Sequence, residues 1–225
     1  FDVGGDWTPA PGVVLSVTGF YEFFKNEIVS QSPAGINGSS FSFNAPASEH
    51  RGIEASADVS LGRGFKLTAT YTFDDQIYTD YAEVLSGAAS AVSRDGNKIP
   101  GVSPNEATAR LSYDVPNGPL KGVGSYIEYQ WYDGFFMENA NLLKAPGYDL
   151  VNVNVHYNKD LNGGPIKSLL AYFEVQNVFD ETYIASANNI TDKVGSTAAS
   201  LAATGNGVIY SGAPRTYYGG MKLKF

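Results

Sequence analysis

Ile53-Glu54-Ala55-Ser56-Ala57-Asp58-Val59-Ser60-Leu61 and Phe65-Lys66-Leu67-Thr68-Ala69-Thr70-Tyr71-Thr72-Phe73 flank the short join Gly62-Arg63-Gly64. In the first run Ile53, Ala55, Ala57, Val59 and Leu61 share one face, and Glu54, Ser56, Asp58 and Ser60 the other. The second sets Phe65, Leu67, Ala69, Tyr71 and Phe73 against Lys66, Thr68, Thr70 and Thr72. Successive side chains of a strand point to opposite faces, so both runs read as strands with one apolar and one polar face. Ala109, Leu111, Tyr113 and Val115 alternate in the same way with Thr108, Arg110, Ser112 and Asp114. Segments 13–23, 123–131, 151–157, 169–179 and 217–225 repeat the pattern, and no stretch sustains a 3.6-residue period. The chain is all-β.

The joins decide between a soluble sandwich and a barrel. They fall at 8–12, 31–39, 62–64, 79–104, 116–122, 138–146, 158–165 and 181–212. Every second join is short, and the others tend to be longer. Outer-membrane barrels alternate short periplasmic turns with long external loops, whereas sandwiches have no reason to. A strand of about ten residues tilted by about 45° covers the roughly 25 Å of an outward apolar band. On the apolar phase Tyr21, Phe23, Tyr71, Phe73, Tyr129, Trp131, Phe179 and Tyr217 lie toward the external end. Phe65, Tyr113, Tyr157 and Phe225 lie toward the other. Two aromatic girdles with smaller residues between them suit a bilayer. The polar phase carries Glu54, Asp58, Lys66, Arg110, Asp114, Glu128, Glu174, Lys222 and Lys224, with Tyr126 and Gln130 between them. So many charges require a wet lumen or a polar plug. The sequence therefore predicts an antiparallel up-and-down transmembrane β-barrel, with outer-membrane lipid as its surroundings.

Composition narrows the functions. Among 225 residues, 13% are aromatic, and the net charge of −8 argues against a nucleic-acid partner. The absence of cysteine removes disulfides, thiolate metal sites and a Cys nucleophile. No apolar run approaches the length of a transmembrane helix. Phe1–Trp7 reads as the tail of a strand without a secretory signal, so the expectation is that an N-terminal portion of a longer protein precedes it.

Three local signatures resemble the TonB-dependent outer-membrane receptors. Arg51-Gly52-Ile53-Glu54 opens a strand and is similar to the family's Arg-Gly-hydrophobic-Glu motif. Glu174-Val175-Gln176-Asn177-Val178-Phe179-Asp180, followed by Tyr183, is similar to its Asn-Leu-Phe-Asp…Tyr motif. Residues 212–225, ending in Lys222-Leu223-Lys224-Phe225, resemble its final strand with an aromatic carboxy-terminal residue. The resemblance implies that the chain is a fragment of eight to nine strands from a larger barrel of about 22 strands. Residues 1–225 would then be the C-terminal portion of the barrel, with the plug domain and the TonB-contacting segment outside the chain.

It also implies bacterial outer-membrane localisation, no enzymatic activity, and import of a ferric siderophore or similar chelate energised by TonB. The ligand candidates it implies are the aromatic and basic residues at the loop bases: Tyr78, Tyr81, Arg94, Tyr132, Phe135, Phe136, Tyr183, Tyr210 and Arg215. Aromatic faces suit a flat chelate and Arg pairs with its anionic groups; girdle or loop-stabilising roles are the competing reading. Tyr217, Leu223 and Phe225 are the expected assembly signal for the barrel-assembly machinery. A self-contained small barrel (an adhesin or structural protein) and a passive porin remain alternatives.

No catalytic, metal or cofactor site is expected. His50 and His156 read as polar lumenal residues without zinc-ligand spacing. Ser103, His156 and Asp114 make a weak triad, and Asp74, Asp75 and Asp80 read as a solvated acidic loop in preference to a cation site. Asn37-Gly38-Ser39 and Asn189-Ile190-Thr191 match a glycosylation sequon that means little in a bacterial outer membrane.

Overall fold

Val13, Val59, Leu67, Leu111, Ile127, Val153, Val175 and Tyr217 stand in one row across eight neighbouring strands, each paired to the next. One residue away, Asp58, Thr68, Arg110, Glu128 and Asn152 form a polar row on the opposite face. A one-residue slip would exchange the two faces, so the alternation read along each strand also fixes the register between strands.

The computed structural model describes residues 1–31, 41–85, 89–161, 164–188, 190–204 and 207–225, and the side chains of all of these except 27, 29–31 and 41–46. Its elements are β1 (Asp2–Ala10), β2 (Val13–Gln31), β3 (Phe41–Gly62), β4 (Phe65–Asp80), β5 (Ala82–Glu83), β6 (Val92–Ser93), β7 (Asn105–Asp114) and β8 (Val123–Tyr132). β9 (Tyr148–Asp160), β10 (Ser168–Gln176), β11 (Ile184–Asn188), α1 (Ala198–Ala203), β12 (Val208–Ser211) and β13 (Thr216–Lys224) follow. Nine strands form one antiparallel sheet in the order β1-β2-β3-β4-β7-β8-β9-β10-β13. β5–β6 and β11–β12 are separate hairpins inside the two longest joins. With these set aside, each long strand pairs with its neighbours in sequence, as a meander should.

The turns at 11–12, 63–64, 115–122 and 161–167 share one end of the sheet, and the longer joins share the other. The tightest depends on backbone conformation: Gly62, Arg63 and Gly64 take φ values of 78°, 53° and 92° in succession. Glycine occupies that region without the steric penalty of a Cβ. The Gly of Arg51-Gly52-Ile53-Glu54 serves packing instead. A Cβ there would collide with the Phe73 carbonyl on β4 and with the Phe20 ring, so only glycine lets that ring lie flat on the sheet.

Aromatic pairs mark both ends of the apolar face. Phe65 and Tyr113 meet with ring centroids 4.5 Å apart, and Tyr21 and Phe23 with 4.8 Å. Among the described residues no helix is long and apolar enough to cross a membrane.

Segment 13–30 borders the open edge of the sheet but is not without a partner there. Phe1–Trp7, read as the tail of a strand, lies in β1, which pairs with β2 from Asp2↔Phe20 to Ala10↔Val13, so the outer side of β1 and the part of β2 beyond Tyr21 form that edge. The long join 181–212 is more ordered than a loop. It holds the β11–β12 hairpin and the six-residue α1, capped by Thr197 through the Ser200 N–H.

Candidate functional site

The polar face is a connected network. Arg110 donates from Nε to Glu128 at 2.8 Å and lies 4.2 Å over the Tyr126 ring. Glu128 also accepts from Gln130 at 3.0 Å and Asn152 at 3.1 Å. Glu174 accepts from Tyr126 at 2.8 Å, Gln176 at 2.6 Å and Asn154 at 3.4 Å. All of these groups except Asn154 line an open cavity of about 250 Å³, together with Tyr183, Ala213 and Pro214. Nearer the turns, His156 meets Asp114 at 3.0 Å and Lys66 meets Asp58 at 2.7 Å. Each of these charges is bonded to its neighbours on the wall, so the wall stays polar without an isolated buried ion.

Above the wall, Tyr132, Tyr148 and Tyr183 stack with centroid separations of 4.9 and 4.1 Å. The stack carries one join over another: β8 supplies Tyr132, β9 Tyr148 and the join 177–215 Tyr183. Gly212 lies against the Tyr183 ring, where a Cβ would overlap it. Asn177, of the Asn-Val-Phe-Asp motif, fixes the base of the same join. It is 4% exposed with φ of 51°, donates to the carbonyls of Glu181 and Ala213, and accepts from the Glu181 N–H.

The nine candidate ligand residues fall in four places. Tyr78, near the end of β4, and Tyr81 and Arg94, in the join after it, are buried; the two tyrosine rings pack 4.7 Å apart against Ile99, and Arg94 is paired with Glu83 and Asp192. Their contacts hold loops together. Arg94 has its pKa raised: burial opposes its charge, and the Asp192 and Glu83 carboxylates outweigh burial. Phe135 and Phe136 line a cavity of about 150 Å³ with Gln76, Lys98, Ile99 and Val102, and Tyr132 and Tyr183 belong to the stack. Tyr210 and Arg215 are exposed, on β12 and beside β13. The structure thus gathers Tyr132 and Tyr183 beside the polar cavity and leaves the other seven apart from it.

Sequence reasoning missed Tyr148. Its parity places it on the same phase as Asn152 and Asn154, a signal already present in the alternation.

The minor readings fare as follows. Ser103 donates to the carbonyls of Asn105 and Asp133, bonds that belong to loop structure rather than a triad. Asp75 pairs with Arg51 at 2.9 Å and also with Lys98, which gives that carboxylate protein partners in place of a cation. Among the described residues no cluster of three or more His, Cys, Asp or Glu is placed to hold a metal. Residues 37–39 and Asn189 of the two sequons, and most of the join 31–39, lie outside the described residues.

A meander of long strands with an apolar face between two aromatic bands, a polar face opposite, and turns and loops segregated to opposite ends is the wall of an outer-membrane barrel. Residues 1–178 match the family described as TonB dependent receptor-like, beta-barrel, and the chain belongs to that family, one of outer-membrane transport receptors. A ferrioxamine B receptor of Salmonella typhimurium strain LT2 is 32% identical over 145 residues, 64% of this chain and 19% of the relative. A ferrioxamine receptor of Yersinia enterocolitica is 24% identical over 191 residues, 83% of this chain and 24% of the relative. The unliganded ferric citrate transporter FecA superimposes with a TM-score of 0.68 at 20% identity, over 100% of this chain and 30% of its own. The ferric yersiniabactin uptake receptor FyuA from Yersinia pestis gives 0.66 at 13% identity, over 98% and 28%. The sheet is thus a segment of a larger TonB-dependent receptor barrel, and the chain spans about a fifth to a quarter of the length of the curated relatives.

Proposed function

We propose that residues 1–225 are the C-terminal part of the barrel of an outer-membrane receptor that binds a ferric siderophore or similar metal chelate and imports it with energy from TonB. The observation that carries this reading is the bonded polar wall rising into the tyrosine stack, in a chain related to ferrioxamine receptors. In this reading the plug and the TonB contact lie in parts of the protein outside the chain. The receptor performs no bond-making chemistry. Tyr132 and Tyr183, with Tyr148, face the chelate from the wall, and Phe135, Phe136 and Tyr210 border its approach. Among the described residues β13 pairs only with β10, which leaves its other edge open, and this strand, with Tyr217, Leu223 and the following Phe225 on its apolar phase, is the part the barrel-assembly machinery engages.

The test is uptake of radioactive iron as ferrioxamine B by iron-starved cells in which the full-length receptor is the sole receptor for hydroxamate siderophores. Uptake is expected with the receptor and lost without TonB. Uptake independent of TonB would point to a passive pore, and no accumulation of any of a panel of ferric chelates would overturn the reading.

A further inference from the structure

Two external joins meet at one buried guanidinium, and a third bonds to its Glu83 partner. Arg94, 5% exposed, donates from Nε to Glu83 at 2.7 Å and from Nη2 to Asp192 at 2.5 Å, across 98 residues of sequence. Glu83 and Asp192 are themselves only 3% and 8% exposed. The other Glu83 oxygen accepts from Asn139 Nδ2 at 3.1 Å, and Asn139 accepts from the Tyr78 hydroxyl at 3.0 Å. The join 133–147 is also bonded to 81–104 directly, by Asn97 to the Asn139 carbonyl at 2.7 Å, by Asn141 to the Lys98 N–H and carbonyl, and by the Gly101 N–H to the Phe136 carbonyl at 2.9 Å, whereas the described hydrogen bond from 81–104 to segment 190–204 is that of Arg94 to Asp192.

This link ties segment 190–204 to another join. The other hydrogen bonds described for it, those of Lys193, Ser196, Thr197, Ser200, Leu201 and Thr204, stay within the segment. Ile190 and Leu201 supply buried apolar surface, and the Arg94–Asp192 pair supplies the polar fastening to another join. A planar guanidinium can serve two carboxylates at once, whereas an ammonium is a point charge. Removing one partner of a buried pair leaves an uncompensated charge, which favours opening.

We infer that Arg94 is a positioning residue that locks the α1 segment of the join 177–215, through Asp192, onto the body formed by the joins 81–104 and 133–147. The lock holds the mouth of the barrel in one arrangement, and its importance to binding rests on the receptor function proposed above.

The test uses the full-length receptor in outer-membrane fractions, exposed to trypsin without any ligand. Lys193 and Lys144, both on the surface, report on two of the joins. Arg94→Gln is expected to speed cutting after Lys193 by about tenfold or more, because cutting follows the population of the locally opened form, while cutting after Lys144, whose join keeps its own bonds to Asn97, Lys98 and Gly101, stays near normal. The heat-modifiable folded barrel should remain. Asp192→Asn should speed cutting after Lys193 alone, and the double variant should be no faster there than the worse single one, since both remove one link. Arg94→Lys should fail to protect Lys193 fully. Unchanged cutting after Lys193 in Arg94→Gln, multiplied effects in the double variant, or full protection by Arg94→Lys would overturn the lock.

In a second arm, ferrioxamine B binding to equal amounts of folded receptor should weaken about tenfold in Arg94→Gln, a loss that follows from a smaller binding-competent population. Unaltered affinity there would overturn the role in binding. If the unaltered receptor binds no ferrioxamine B, the proposed function fails for that chelate while the protease arm still decides the lock.

Discussion

Leu67→Arg is expected to remove most of the folded receptor from the outer membrane, while Thr68→Arg leaves it near the normal amount. The two residues are adjacent on β4 and differ only in phase. Leu67 lies between Val59 and Leu111 in the apolar row, the row expected to face lipid. An arginine on the lipid face near the midplane of such a barrel costs about 2–4 kcal/mol, a large share of a marginal stability of about 5–15 kcal/mol. Thr68 is on the polar phase and donates to Asp58 at 2.8 Å. An arginine there loses that bond but gains the exposed Asp58 carboxylate as a partner, in a polar setting. Heat-modifiability and outer-membrane fractionation of the full-length protein separate the two, and equal loss from both would contradict the assigned faces.

Asn177→Ala should release the base of the join 177–215 without preventing insertion. The amide makes three hydrogen bonds to Glu181 and Ala213 in a site that water hardly reaches. Stranding buried partners costs about 1–3 kcal/mol per group, and an alanine at φ of 51° meets the left-handed penalty of about 1–2 kcal/mol. Asn177→Gly should recover the backbone share and not the hydrogen bonds. The measurement is amide exchange of the join 177–215 in the folded receptor, in particular at Glu181 and Gly212. Exchange should quicken by at least about tenfold in the alanine variant and less in the glycine variant. Unchanged exchange would show that the join is fastened elsewhere. The β9–β10 and β10–β13 ladders below it keep their own hydrogen bonds, so strand exchange should hardly move.

The parts of the fold that period-2 alternation governs were legible in the sequence. Segments 53–61 and 65–73, and 107–115 as far as Asp114, became strands in the expected phase, and the segregation of short turns from long joins followed from their order along the chain. Alternation carries less information where both faces are wet. β3 therefore begins at Phe41 and β4 continues to Asp80, beyond the runs the pattern marks. The helix α1 is too short to show a period, and its trace is the Thr197 and Ser200 capping pair.

The mouth was less legible for a different reason. Residue type suggested Tyr78, Tyr81 and Arg94 as ligand contacts, but aromatic and basic residues are equally the means by which a long join builds its own small core. Nothing local distinguishes the two uses. The Arg94–Asp192 pair spans too much sequence to leave a periodic trace, and Asn177 shows its role only once Ala213 is seen folded back beside it.

The most direct measurement of the central claim, that this sheet is a barrel wall with lipid on one face and a polar interior on the other, uses four single cysteines on β7. The chain has no cysteine of its own, so each label on it is unique within these residues. Cysteines at Thr108, Ala109, Leu111 and Ser112 are introduced into the full-length receptor, with any cysteine elsewhere removed, and spin-labelled after reconstitution in bilayers. Labels at 109 and 111 should be relaxed strongly by oxygen dissolved in the hydrocarbon, and labels at 108 and 112 only weakly. A uniform response at all four positions, or the reverse alternation, would contradict the account.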